Sequence, residues 1–153
     1  MKIFTENLFK YLERSDTLKY IKIIDLCSDP GQLVDSGKFP FISLEPDSKS
    51  VSDIKDFHKD DGNTNIYKII ISFATSHTKK KTSIMGTTDF KGIFDIANDI
   101  NTTIEAYIES VKYTEHISIH EKPIVYQRTW QSKSSKYISG SELVIEFSQD
   151  EFI

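Results

Sequence analysis

Near the start of the chain Phe4, Leu8, Tyr11 and Leu12 fall at i, i+4, i+7 and i+8, which makes one apolar stripe and predicts a helix over 4–14. Thr5 or the residues just before it are the candidate cap, and Ser15-Asp16 ends the pattern. Ile21 and Ile23 alternate with Tyr20, Lys22 and Ile24, so 18–26 reads as a strand. Residues 28–38 are turn chemistry, punctuated by Pro30-Gly31 and Ser36-Gly37. A short strand over 39–45 follows. Pro40 at its start suits an edge or a first ladder position, and Pro46 stops it. Residues 46–64 read as a polar, acidic loop with a short helical turn around 51–57.

The clearest strand covers 65–76. Tyr67, Ile69, Ile71 and Phe73 line one face and Ile66, Ile70 and Ala74 the other, so it is covered on both sides for part of its length. A polar loop with a basic centre occupies 77–88. The clearest helix spans 89–110, with Phe90, Ile93, Phe94, Ala97, Ile100, Ile104, Tyr107, Ile108 and Val111 tracking its apolar face. Gly92, early in that helix, costs about 1 kcal/mol against alanine. The last third is β. Residues 113–121 alternate weakly. Residues 123–131 put Ile124, Tyr126, Arg128 and Trp130 on one face, and 141–148 alternate cleanly around Leu143, Ile145 and Phe147. With the Ser- and Lys-rich turn over 132–140 they form a long hairpin.

Strands grouped around one long helix, without β-α-β alternation, predict a single α+β domain over 1–153. Its sheet is mostly antiparallel, with an N-terminal helix and the long central helix packed on one face and a C-terminal β-hairpin. Loops near 46–64 and 77–88 are expected to be mobile, and the hairpin near 123–148 to form an arm.

Composition narrows the class. With 22 Ile, 10 Phe and 7 Tyr in 153 residues the chain has ample core material, and one cysteine excludes a disulfide scaffold. That residue, Cys27, ends an apolar strand and reads as a buried structural thiol. Net charge is −4, with 17 Lys and 2 Arg, which argues against a dedicated duplex binder. The charge is uneven: 77–91 hold four Lys against one Asp, while the last twelve residues hold Glu142, Glu146, Asp150 and Glu151 and no base. These are two solvated clusters, or a basic loop and an acidic tail suited to head-to-tail subunit contact. Charged residues interrupt the first sixteen positions, so no signal peptide is expected, and no apolar run approaches a membrane span. A soluble protein made in a cytoplasm is the expectation.

No catalytic constellation stands out. His116 and His120 are four apart beside Glu115 and Glu121, a weak metal candidate that lacks the HExxH order and a third ligand; strand or surface histidines explain them better. Asp60-Asp61-Gly62-Asn63 is acidic but lacks the spacing of a calcium loop and reads as a turn. There is no GxSxG elbow and no Walker-type or dinucleotide-type glycine motif. No cofactor is implied. Lys79, Lys80 and Lys81, near His77, are candidates for phosphate contact, although the loop has no aromatic for base stacking. Arg128 and Trp130, on one strand face, are an interface anchor pair or sheet packing.

The segments FPFISLEPDS (39–48), YKIIISFAT (67–75), FKGIFDIANDI (90–100), VYQRTWQ and SELVIEF, in that order after an N-terminal helix, resemble the tail terminator and tail completion proteins of tailed phages and related prophage-derived particles. In that family an FP-x-I-x-(I/L)-x-P segment precedes the central strand, a G-(I/V/L)-x-D helix start follows it, and an Arg-bearing hairpin commonly ends the fold. The resemblance implies a non-enzymatic structural subunit of the virion neck, made in the bacterial host cytoplasm. It implies self-assembly as a ring, commonly a hexamer, that caps the tail tube and meets the head–tail connector proteins. DNA touches such a ring only in passage, and no membrane is involved. A neck or head–tail joining adaptor is the related alternative, and a small nucleic-acid-binding module using Lys79, Lys80 and Lys81 the unrelated one.

Overall fold

The computed structural model describes residues 2–47, 63–111, 117–119 and 124–151. Helix α1 spans Lys2–Arg14 and buries Phe4, Leu8 and Leu12 of the predicted stripe, while Tyr11, placed on the same stripe by its spacing, is exposed. It begins before Thr5, which lies buried inside the helix rather than capping it. A single 3-10 turn, Asp16–Leu18, takes the place of the first part of the strand predicted over 18–26; β1 covers only Ile23–Leu26.

The stretch read as turns contains α2, Pro30–Ser36. Asp29 caps it, its Oδ1 accepting the Gly31 N–H at 3.0 Å, and Pro30 occupies the first turn. Gly37, at φ 70°, closes it in the left-handed conformation. Strand β2 then runs Phe41–Asp47, entered through a cis Phe39-Pro40 bond. Pro46 does not stop β2. The β1 neighbour ends opposite Leu44, and beyond that point no described strand pairs that side, where proline is tolerated.

Strand β3, Asn63–His77, is longer at both ends than 65–76. Where a loop was expected over 77–88 a short helix, α3, spans Lys80–Met85 and buries Thr82 and Ser83. Helix α4, Ile93–Val111, starts four residues later than the predicted 89. Its buried face is Ile93, Ile96, Ala97, Ile100, Thr103, Ile104, Tyr107 and Ile108, while Phe94, placed on the apolar face by its spacing, is 48% exposed. Strands β4 (Ile117–Ile119), β5 (Ile124–Gln131) and β6 (Tyr137–Glu151) complete the fold.

The chain is α+β. The sheet order is β1-β2-β3-β6-β4, with β5 also paired to β6. All pairings are antiparallel except β1–β2, which is parallel because α2 provides the crossover of a single β-α-β unit. That unit is a correction to the expected absence of β-α-β order. β3 and β6 form the spine, paired from Asn63↔Glu151 to His77↔Tyr137. Because β6 has β3 along its whole length, the β5–β6 hairpin is part of the sheet and not a projecting arm.

The two sheet faces are covered differently. Ile42, Leu44, Ile69, Ile71, Phe73, Leu143 and Ile145 point to one face and pack under α1 and α4 in the main core. Phe41, Ala74 and Ile138 point the other way into a smaller cluster with Leu33 and Val34 of α2 and with Trp130. Helices therefore lie on both faces, not on one as expected.

Candidate interface groove

β5 pairs with β6 on one side, and among the described residues no strand pairs with its other edge. Alternation places Arg128 and Trp130 on the same face of this edge strand, opposite Gly140 and Ile138 of β6. That is the α2 side of the sheet. Between α2 and β5 lies an open groove of about 660 Å³. Pro30, Gly31, Val34 and Asp35 form one wall, Phe41, Ala74 and Gly140 the floor, and Arg128, Trp130 and Glu142 the far wall.

The indole of Trp130 is half-buried against the smaller core cluster. Gly140 makes room for it: a Cβ there would stand 3.3 Å from two ring carbons of Trp130. The Arg128 guanidinium lies over the ring, 5.1 Å from its centroid, at a distance where a cation–π contact is worth about 0.5–1 kcal/mol at an exposed site. Trp130 is thus held by packing below and a cation above, with one surface left to the groove. Asp35, Arg128 and Glu142 are exposed and put charges of both signs on the rim. An apolar floor with a polar rim and a rigid aromatic anchor is the make-up of a protein docking surface.

The α2 wall is positioned by a short polar network. The Ser43 hydroxyl donates to the Ser28 carbonyl at 2.8 Å, Ser28 Oγ donates to Asp25 Oδ2, and the Cys27 N–H donates to the Leu44 carbonyl at 2.7 Å. Cys27 itself has φ 61° and is exposed, so it is not the buried thiol its apolar context suggested.

The other residues singled out from the sequence lie elsewhere. Lys79 flanks the start of α3, and Lys80 and Lys81 form its first turn; all three are exposed. His77 Nδ1 accepts the Lys79 N–H at 3.0 Å, and its ring meets Phe90 edge-on at 4.6 Å. Lysines at a helix start oppose the macrodipole, so α3 depends on tertiary contacts. Its buried Ser83 hydroxyl bonds Ser139 Oγ at 2.9 Å, and Ser139 Oγ lies 2.9 Å from Thr129 Oγ1. The expectations for His116, His120 and the Asp60-Asp61-Gly62 turn fall outside the described residues. Among the described residues no cluster of three or more His, Cys, Asp or Glu side chains is placed to hold a metal ion, and no helix is long and apolar enough to cross a membrane.

The structure brings Arg128 and Trp130 together and sets them apart from Lys79, Lys80 and Lys81. Sequence reasoning missed the opposite wall of the groove. Its signal was present in Asp29-Pro30, a cap followed by a first-turn proline, and in Gly37 seven residues on. No protein-family model matches the chain, and no curated protein matches it.

Proposed function

We propose that the protein is a non-enzymatic virion assembly subunit of the tail terminator type. In this reading copies of the chain associate as a ring that caps the tail tube and meets the head–tail connector, with DNA passing through and not held. The observation that carries the reading is the groove between α2 and β5, with Trp130 clamped between Gly140 and Arg128 beside a strand edge that is unpaired among the described residues. An open, apolar-floored surface on a rigid sheet suits a partner protein and gives no enclosed reaction cleft. The G-x-x-D helix start of the resemblance also has a structural reason. Gly92 precedes the first residue of α4, and the Asp95 carboxylate accepts the Gly92 N–H at 3.0 Å, closing the helix start in the manner of a capping box.

The test is the solution mass of the purified protein across concentrations, followed by co-sedimentation with tail tubes. The expected result is a discrete ring-sized species and tube binding. Trp130→Ala and Gly140→Leu, which removes the space under the indole, are expected to weaken tube binding at least tenfold while leaving the far-ultraviolet circular dichroism unchanged. A protein that is monomeric throughout and never binds tubes overturns the reading.

A further inference from the structure

The antiparallel β3–β6 ladder sorts charge along the long axis of the sheet. At its His77↔Tyr137 end the chain leaves β3 into α3 and enters β6 from the 132–136 turn. Residues 76–88 and 132–141 carry Lys79, Lys80, Lys81, Lys133 and Lys136 and no carboxylate. The fold thus joins two lysine groups more than fifty positions apart in sequence into one exposed basic end. Among the described residues the ion pairs are Lys19–Asp16 and Lys91–Asp99, and none of the five lysines takes part in one.

Toward the Asn63↔Glu151 end the sign reverses. Residues 146–151 of β6 carry Glu146, Asp150 and Glu151 and no lysine or arginine. The end of β2, which adds Glu45 and Asp47, lies in the same half of the sheet, with Lys68 of β3 the opposing cation in that ladder. Fourteen residue steps separate Glu151 from Tyr137, roughly 45–50 Å at 3.3–3.4 Å per residue. The screening length at physiological salt is about 8 Å, so within one chain the two ends do not neutralise each other. Only a second molecule brings the two ends into contact.

We propose that the lysine-rich end of the sheet docks on the carboxylate-rich end of a second copy of this chain, a head-to-tail contact that repeats from subunit to subunit. This deepens the ring reading and rests on it, since a heterologous contact closes into a ring when its rotation closes. It leaves the α2–β5 groove free for the tail tube. It also places this basic end against protein, so a ring that conducts DNA does not grip it there. A second copy is favoured over nucleic acid because the same chain carries the complementary surface at the opposite end, and because no aromatic lies among residues 77–88 to stack a base.

Light scattering of the full chain after size exclusion, between about 20 and 500 mM salt, tests this with two charge reversals: K79E/K80E/K81E at one end and D150K/E151K at the other. Association of the parent protein is expected to weaken at least tenfold as salt rises. Each reversal alone is expected to give monomers. An equimolar mixture of the two, or one chain carrying both, is expected to recover the assembly, because the ends are then complementary again. If a reversal disturbs the circular dichroism spectrum, K133E/K136E, on the other segment of the basic end, replaces it. An assembly indifferent to salt and to every reversal overturns the contact and leaves the ring reading standing. A parent protein monomeric at low salt overturns the contact, and one that also never binds tail tubes overturns both. Unchanged mass with loss of binding to a single-stranded oligonucleotide in K79E/K80E/K81E overturns the contact in favour of a nucleic-acid surface.

Discussion

Gly92 lies against the backbone of α3 and its exit. A Cβ at Gly92 would stand 2.3 Å from the Gly86 nitrogen and 2.7 Å from the Ile84 carbonyl oxygen. These are backbone atoms that cannot rotate away. Gly92→Ala is therefore expected to destabilise the protein by about 1–3 kcal/mol, the range for overpacking; Gly92 lies one position before α4 and not inside it, so the expected cost of glycine within the helix does not apply. Denaturant unfolding checks it, and a neutral or stabilising result would contradict the close approach. Tyr20 offers a second test at this scale. Its hydroxyl donates to Asp99 Oδ2 at 2.7 Å, and Lys91 lies 3.2 Å from the same oxygen and over the Tyr20 ring. Burial, then the hydrogen bond to Asp99, then the charges of Asp99 and Asp95 push the phenol well above the ordinary tyrosine range. A raised folded pKa means that its contribution is present in full below the unfolded value of about 10 and is lost as pH rises above it. The stability difference between the parent protein and Tyr20→Phe is expected to shrink between pH 9 and 11, measured by urea unfolding at each pH. A constant difference would show that the phenol proton is not coupled to folding.

The elements differ in what forms them. α1 and α4 follow from apolar spacing, since Phe4, Leu8 and Leu12, and Ile93, Ile100 and Ile104, bury one face against the sheet. α2 has seven residues and none fully buried, so its ends matter most. Asp29→Ala removes the bond to the Gly31 N–H and is expected to cost about 0.5–2 kcal/mol of helix stability. Because α2 walls the groove, hydrogen exchange of residues 31–36 is expected to rise in that variant while exchange in β3 and β6 stays slow. Equal acceleration everywhere would mean that α2 opens only with the whole fold. α3 is the opposite case. It has three lysines at its start and no side-chain cap, and it is held through buried Ser83 and the Ser139 and Thr129 hydroxyls. Partners supplied by another part of the chain leave no local pattern, which is why 77–88 reads as a loop.

Over the whole molecule, the alternation of Ile69, Ile71 and Phe73 and of Leu143 and Ile145 determined two inner strands, and the helical spacing from Ile93 to Ile108 determined the long helix over them. These signals are local and periodic, so the α+β class was legible from the sequence. So was the shared face of Arg128 and Trp130, because alternation along one strand is enough to place it. Tertiary structure decided the rest. Pairing β3 with β6 made the hairpin part of the sheet, and the α2 crossover made β1 and β2 parallel and gave Trp130 a groove. Gly140 carries no mark in the sequence of its place under an indole. The same ladder drew Lys79, Lys80 and Lys81 to the end that holds Lys133 and Lys136, and left Asp150 and Glu151 at the other. Periodicity tells a residue which way it faces on its own element. Which element it meets depends on pairing between segments far apart in the chain, and that depends on the closing of the whole core.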